Sequence, residues 1–177
     1  MKILTIDNRK EAKILRKKIA KFDFSKFKKK EIYELIRKMR EVMKASDGVG
    51  LSANQVGLDL KFFVAGIPAD ISINPRLNQY KSASNKFYAI FNPEIIKFSG
   101  EKSIMEEGCL SVPGVFGLVE RPEKITLVGY DKNAKKIKIK AWGLLARTFQ
   151  HEVDHLNGIL FIDKAKNIQK IELKSKI

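Results

Sequence analysis

Four runs of β-branched and aromatic residues place the strongest constraint on the fold of this chain. They span residues 60–67, 87–98, 124–131 and 135–142, and turn-forming glycine, proline and asparagine residues punctuate the region. Such runs are typical of β-strands. The last run, KKIKIKAW, alternates lysine with apolar residues, which predicts a strand with one buried and one exposed face.

Helical patterns stand on either side of these runs. From Lys29 to Ser46 the apolar residues fall on one stripe, with lysines and glutamates opposite, which predicts an amphipathic helix packed on the core. Asp47-Gly48 is expected to end it, because these residues tolerate a left-handed conformation. A second helix is predicted from Gly143 to about Asn157.

The remaining segments complete the predicted architecture. We expect a first strand in residues 1–6, a short helix in residues 8–22 and a last short helix in the basic tail, residues 164–177. Residues 68–86 are polar and rich in turn formers, so they are predicted to form a surface excursion. The sequence contains no repeat and no linker. We therefore predict a single α+β domain, residues 1–177, with antiparallel strands packed around a central helix.

Composition narrows the class of protein. The chain has 177 residues, of which 44% are hydrophobic and 31% charged, which fits a globular domain with its own core. There is no apolar run long enough to cross a bilayer and no signal-peptide pattern, so we expect a cytoplasmic protein that makes no membrane contact. The one cysteine excludes an intramolecular disulfide.

The formal net charge is +15, and lysine supplies most of it. Such a charge either solvates the surface or attracts a polyanion such as the ribosome surface. No zinc-finger spacing and no RNA-binding aromatic motif occurs, so sequence-specific nucleic-acid binding is not expected. Any contact with nucleic acid would be electrostatic.

Both histidines of the chain lie in the stretch FQHEVDHLNG, residues 149–158. On a helix, His151 and His155 lie one turn apart and roughly 40° around the axis, so both imidazoles can reach one metal ion. Glu152 stands beside that position, where a carboxylate can hold a water molecule and move protons. Asp154 points away and is expected to support the site or cap the helix.

A catalytic metal site of this kind normally takes a third protein ligand. Glu172 is the one glutamate that follows His155, but its lysine-rich surroundings are a poor place for a rigid ligand. Cys109 lies in EEGCLSVPG, whose glycine and proline residues predict a tight turn beside a strand. These residues favour Cys109 and leave Glu172 as the alternative. Two imidazoles and a thiolate suit both zinc and ferrous iron.

Three stretches together resemble the signature motifs of the peptide deformylase family. They are GVGLSANQ at 48–55, EGCLS at 107–111 and QHEVDHLNG at 150–158, in the family's order and at similar separations. The first departs from the commonest form at Ser52, where alanine is frequent. Agreement continues through RPEKITLVGYD, residues 121–131, and into the N-terminal region, so the resemblance covers nearly the whole chain.

This resemblance implies an enzyme that removes the formyl group from N-formylmethionyl nascent polypeptides and releases formate. It implies Cys109, His151 and His155 as metal ligands, with ferrous iron as the native metal and zinc, nickel or cobalt able to replace it. Glu152 would be the general base and acid, while the Gln55 side chain and the Leu110 backbone N–H would stabilise the oxyanion. The residues implied in substrate binding are Val49, Gly50, Met105, Glu107, Gly108, Arg121 and Leu144.

Two other functions are compatible with parts of the sequence. One is a metallopeptidase that cleaves internal bonds and uses Glu172 as its third ligand. The other is a catalytically inactive, basic module that binds the ribosome or RNA. The presence of Glu152, Gln55 and both histidines argues against the second, because a binding module has no use for all four.

Overall fold

The structure of the protein is a computed structural model, which describes residues 1–67 and 86–171. The α-helices in this part of the chain are α1 (Arg9–Leu15), α2 (Lys29–Ala45) and α3 (Gly143–Leu156). Short 3-10 helices occupy Phe24–Lys26, Ala53–Val56 and Phe161–Asp163. The predicted surface excursion, apart from Lys86, and the alternative ligand Glu172 lie outside the described residues.

The strands of the described residues form two antiparallel sheets. The strands are β1 (Gly50–Ser52), β2 (Phe62–Gly66), β3 (Phe87–Phe98), β4 (Lys102–Cys109), β5 (Val112–Pro122), β6 (Lys124–Tyr130), β7 (Lys136–Trp142) and β8 (Lys166–Lys170). One sheet has the order β1-β2-β3-β6-β7 and the other the order β4-β5-β8. The four predicted strands are confirmed as β2, β3, β6 and β7.

The five-stranded sheet separates two hydrophobic cores, and β2 shows how. Phe63 and Ala65 belong to the core that contains α3, whereas Phe62 and Val64 belong to the core that contains α2. Successive residues of a strand point to opposite faces, so a strand buried on both sides is apolar throughout. This explains why LKFFVAGI shows no polar alternation.

Helix α3 is the centre of the fold. Ten of its 14 residues are buried, on several sides of the helix. Phe149 packs against Phe63 and Tyr88, with ring centroids 5.4 Å and 5.2 Å away. Burying such a side chain contributes about 1.5–3 kcal/mol, which fixes the rotation of the helix and therefore the direction of its histidines. The predicted α+β fold with a central helix is confirmed.

Two predictions for the N-terminal region need correction. Residues 1–6 do not form a strand, because the N–H groups of Leu4 and Ile6 bond to two different elements, at the carbonyls of Gln55 and Ser111 (2.8 and 3.0 Å). The predicted helix of residues 8–22 ends at Leu15. Beyond it the chain forms no regular element as far as Asp23, and Ile19 and Phe22 are buried in the two cores.

The predicted C-terminal helix is also wrong within the described residues. Lys166–Lys170 instead forms β8, which pairs with the free edge of β5, with Phe116 opposite Gln169. The lysines at both ends of KNIQK suit a strand on a sheet edge. Among the described residues, none of the helices is long and apolar enough to cross a membrane.

Candidate active site

The side chains of Cys109, His151 and His155 converge. The sulfur of Cys109 lies 3.1 Å from Nε2 of His155, which lies 3.1 Å from Nε2 of His151. All three possible ligand atoms fall within 4.8 Å of one another. Cys109 is the last residue of β4 and precedes the turn into β5, as its glycine and proline neighbours predicted.

This donor set fits one divalent metal ion. Two nitrogens bound at about 2.0–2.1 Å to a tetrahedral ion would be roughly 3.3 Å apart, close to the separation of the two histidine nitrogens. The groups that contact His151 also favour a positive charge at the position between the three ligands. Burial lowers the pKa of His151, but hydrogen bonds to Cys109 and Glu107 outweigh it and raise that pKa well above the usual value. A cation at this position satisfies the same negative groups.

Glu107 orients His151. Its Oε2 lies 3.1 Å from Nδ1 of His151, which leaves Nε2 facing Cys109 and His155. Arg121 and Arg147 each donate to the same carboxylate, with shortest contacts of 2.6 Å. Burial alone would raise the pKa of Glu107, but the hydrogen bonds from His151 and Arg121 lower it. Glu107 is therefore ionised and holds the imidazole in one orientation.

Glu152 lies on α3 between the two histidines and is almost completely buried. Its carboxyl group packs against the backbone of Gly50, where a Cβ atom would lie only 2.8 Å from Cδ of Glu152 and 2.9 Å from Cγ2 of Thr148. Burial raises the pKa of Glu152 to about 7, although the charge of His151 and a hydrogen bond from Ser52 oppose the shift. Such a group can take up and release a proton near neutral pH.

The Gln55 side chain places a neutral hydrogen-bond donor next to Cys109. The N–H of Ser52 donates to Oε1 of Gln55 at 2.9 Å, which fixes the side-chain amide. Its Nε2 then donates to Oγ of Ser111 at 3.1 Å and lies 3.5 Å from the Cys109 sulfur. The amide N–H groups therefore point toward the ligand cluster rather than into a loop.

A cavity of about 460 Å³ opens directly onto these groups. Its walls are formed by the ends of β1 and β4, the turn after β4 and one side of α3. Among the described residues, β1 and β4 are edge strands of their sheets, and residues of both strands line the cavity. The cavity walls include the predicted residues Val49, Gly50, Gln55, Glu107, Gly108, Cys109, Leu110, Leu144, His151 and Glu152.

The sequence profile of the polypeptide deformylase family matches residues 1–171. A peptide deformylase of Halothermothrix orenii is 45% identical over 139 residues, which are 78% of this chain and 80% of that protein. A peptide deformylase of Chloroflexus aurantiacus is 36% identical over 171 residues, which are 96% of this chain and 89% of that protein. The chain belongs to the peptide deformylase family.

Solved structures of the family share this fold. A crystal structure of class I type b peptide deformylase from Acinetobacter baumannii with bound Met-Ala-Ser matches with a TM-score of 0.82 and 32% identity. The match covers 93% of this chain and 97% of that chain. A structure described as a probable peptide deformylase from the Synechococcus phage S-SSM7 matches with a TM-score of 0.74 and 40% identity, over 93% and 99% of the two chains.

Two of the residues that the family resemblance placed in substrate binding lie elsewhere. Arg121 is 3% exposed, and its guanidinium bonds to Glu107 and to Asp154 (2.7 Å) instead of facing the cavity. Met105 packs on the core around α3 and is not part of the cavity wall. Asp154 does support the site, since it holds Arg121, and Lys164 pairs with it at 2.7 Å.

Phe116 is a cavity residue that the sequence analysis missed. It stands opposite Gly108 in the β4–β5 pair, and a Cβ atom at position 108 would lie 2.6 Å from its ring. The signal for this contact was the glycine at position 108, which pairs with an aromatic residue on the neighbouring strand.

A charged side chain is not expected in the wall of an apolar pocket, yet Arg147 lines the cavity. Its guanidinium is bound by Glu107, by the carbonyl of Val119 at 3.0 Å and by that of Ser103 at 2.9 Å. The charge is thereby neutralised within the wall.

Proposed function

We propose that this protein is a peptide deformylase that hydrolyses the formamide of N-terminal formylmethionine in newly made proteins. The observation that carries the proposal is the cluster of Cys109, His151 and His155 beside a cavity whose walls also include Glu152 and Gln55. The family match over residues 1–171 supports it and also supports a single catalytic domain over residues 1–177.

Cys109, His151 and His155 would hold the metal ion. We infer ferrous iron as the native metal from the resemblance to the family's motifs, and the donor set of one thiolate and two imidazoles also suits zinc, nickel and cobalt as substitutes. When bound, a divalent ion makes a water molecule easier to deprotonate and polarises a carbonyl oxygen. A thiolate beside ferrous iron would also make the enzyme sensitive to oxidation.

Glu152 would carry the proton through the reaction. Its carboxylate accepts a proton from the attacking water, and the resulting hydroxide adds to the formyl carbon. The C–N bond then breaks, and Glu152 gives the proton to the leaving amine. Burial raises the pKa of Glu152 above the usual value for a carboxyl group, which helps the group to return the proton after it has accepted it.

Gln55 and Leu110 would stabilise the charge that develops on the formyl oxygen. The Gln55 amide is fixed by the N–H of Ser52 before substrate arrives. A donor that is already oriented needs no rearrangement during the reaction, which is why such groups are effective. The backbone N–H of Leu110, directly after Cys109 in the turn between β4 and β5, is proposed as the second donor.

The substrate would lie between the two edge strands that border the cavity. We propose that the peptide adds as a strand against the backbone near Gly50 and Gly108. The methionine side chain would enter the cavity between Val49, Leu144 and Phe116. The crystal structure of the Acinetobacter baumannii relative with bound Met-Ala-Ser supports a peptide that begins with methionine.

The site gives no support to the two alternative functions. A metallopeptidase that uses Glu172 has no need of Cys109 beside both histidines, and an inactive binding module has no need of a buried Glu152. The net charge of +15 supports a different proposal, that the enzyme works in the cytoplasm close to the ribosome surface. Co-sedimentation with ribosomes that weakens as salt rises would support it, and binding insensitive to salt would contradict it.

Formate release from formyl-Met-Ala-Ser tests the proposed function. The protein is purified anaerobically, loaded with ferrous iron and compared with its Glu152→Ala variant. We expect rapid release by the parent and a loss of about 100-fold or more in the variant. An inactive parent, or a variant as active as the parent, would contradict the proposal.

A further inference from the structure

Ser52 occupies a position that links two parts of the site. It is the last residue of β1 and is fully buried. Its hydroxyl lies 2.6 Å from Oε2 of Glu152 and 2.9 Å from the main-chain oxygen of the same residue. Its own N–H donates to Oε1 of Gln55. One residue therefore contacts both the proposed base and a proposed oxyanion donor.

We propose that Ser52 is a positioning residue, whose hydroxyl holds the Glu152 carboxyl group in its working orientation. The contact occupies Oε2 and leaves Oε1 beside the backbone of Gly50, on the wall of the cavity. The water molecule would then give its proton to Oε1. This inference rests on the proposed function, in which Glu152 moves the proton.

The Ser52 hydroxyl can set the orientation of the carboxyl group because the last torsion of glutamate is soft. Rotation about the bond to the carboxyl carbon has broad, roughly two-fold minima, unlike the staggered torsions nearer the backbone. A short hydrogen bond to a charged oxygen selects one of these orientations. Gly50 and Thr148 limit the space on the other side of the carboxyl group.

The Ser52 hydroxyl can donate a hydrogen bond to Glu152 in both protonation states of the carboxyl group. While Glu152 is a carboxylate, the hydroxyl donates to Oε2. While Glu152 holds the proton, the hydroxyl can turn and donate to the main-chain oxygen, which lies 2.9 Å away. Its own oxygen then remains available to the carboxylic acid. A methyl group at position 52 offers neither contact.

The role of the Ser52 hydroxyl can be separated by experiment from the role of the Ser52 main-chain N–H. Ser52→Ala removes the hydroxyl but keeps the N–H that orients Gln55. Ser52→Thr and Ser52→Val form a matched pair, because the two side chains have nearly the same shape and differ in the hydroxyl. Ser25→Ala is the control, since the Ser25 hydroxyl is on the surface and bonds to Asp23.

The test measures kcat and KM for formyl-Met-Ala-Ser with each iron-loaded variant, together with metal content and thermal unfolding. We expect Ser52→Ala to lower kcat about tenfold, the equivalent of one hydrogen bond to a charged group, with KM and metal content within twofold of the parent. Ser52→Thr should exceed Ser52→Val in kcat by a similar factor. Ser25→Ala should match the parent.

Equal kcat values for the parent and Ser52→Ala would overturn the inference, as would equal values for the threonine and valine variants. If the Ser52→Thr and Ser52→Val variants do not fold, the comparison of Ser52→Ala with the parent decides the test. A fall in metal content that accounts for the whole loss would also overturn it, because the role would then be structural. A parent that releases no formate would contradict the proposed function itself, whereas an active parent with an equally active Ser52→Ala contradicts only the role of Ser52.

Discussion

Oε2 of Glu107 lies 3.1 Å from Nδ1 of His151, and this contact determines which nitrogen of the imidazole faces the ligand cluster. The same carboxylate accepts from Arg121 and Arg147, both buried. Three elements thus meet at Glu107: β4 supplies the carboxylate, β5 supplies Arg121, and α3 supplies Arg147 and His151. The metal ligands are held by a buried ionic cluster as much as by hydrophobic packing.

This cluster makes stability depend on pH. The pKa of Glu107 is lower in the folded protein than its ordinary value of 4.5, so the ionised form stabilises the fold. That contribution is complete above about pH 4.5 and is lost as the pH falls further. We expect Glu107→Gln to cost about 3–5 kcal/mol at pH 7, because it removes the negative charge that both buried arginines contact.

Chemical denaturation of the metal-free protein between pH 3 and pH 7 measures this effect. The parent should lose stability toward acid more steeply than Glu107→Gln does. Glu120→Gln is the control, since Glu120 pairs with Lys102 on the surface. Identical pH profiles for the parent and Glu107→Gln would contradict the assigned role of the cluster.

Cys109→Ser tests the ligand set. A serine hydroxyl is a far weaker ligand than a thiolate for iron or zinc, so the variant should bind less than one tenth of the parent's metal at equal free-metal concentration. Glu172→Ala should bind as much as the parent. Metal analysis after anaerobic dialysis gives the answer. The opposite pattern, with Cys109→Ser loaded and Glu172→Ala empty, would favour the metallopeptidase alternative.

Gly50→Ala tests the packing around Glu152. The added methyl group would come within 2.9 Å of Cγ2 of Thr148 and closer still to the Glu152 carboxyl group, so the carboxyl group must move. A displacement of about 1 Å is expected to lower kcat/KM roughly 100-fold. Gly100→Ala is the matched control, because nothing lies within 4 Å of a Cβ atom there. A fully active Gly50→Ala variant would show that the carboxyl position is unimportant.

Glu152→Gln separates metal binding from proton transfer. The amide keeps the size of the side chain but cannot accept the water's proton, so kcat should fall by about 100-fold or more. Metal content should stay equal to that of the parent, because Glu152 is not one of the three ligands. If the variant instead lost its metal, Glu152 would be acting as a ligand.

The sequence predicted the elements that depend on local pattern. Helices α2 and α3 and strand β3 begin and end close to the predicted residues. Helix α2 was predicted from its apolar stripe and β3 from its run of strand-forming residues. The local position of Cys109 could also be predicted, since its neighbours form the turn at the end of β4. These features depend on residues close together in the chain.

Features that depend on distant residues could not be predicted in this way. Strand β8 forms because β5 has a free edge, a fact that the tail's own residues do not contain. The family resemblance implied that Arg121 binds substrate, and only the fold shows that it pairs with Glu107 and Asp154. The contact between Ser52 and Glu152 joins residues 100 positions apart.

The products formed from formyl-Met-Ala-Ser test the central claim most directly. The iron-loaded protein is incubated with this peptide and with a longer, formylated peptide under anaerobic conditions, and all products are quantified by mass spectrometry. We predict formate and the free-amine peptide in equal amounts, with every internal peptide bond intact. Cleavage at internal bonds, or a free amine without formate, would contradict the proposed reaction.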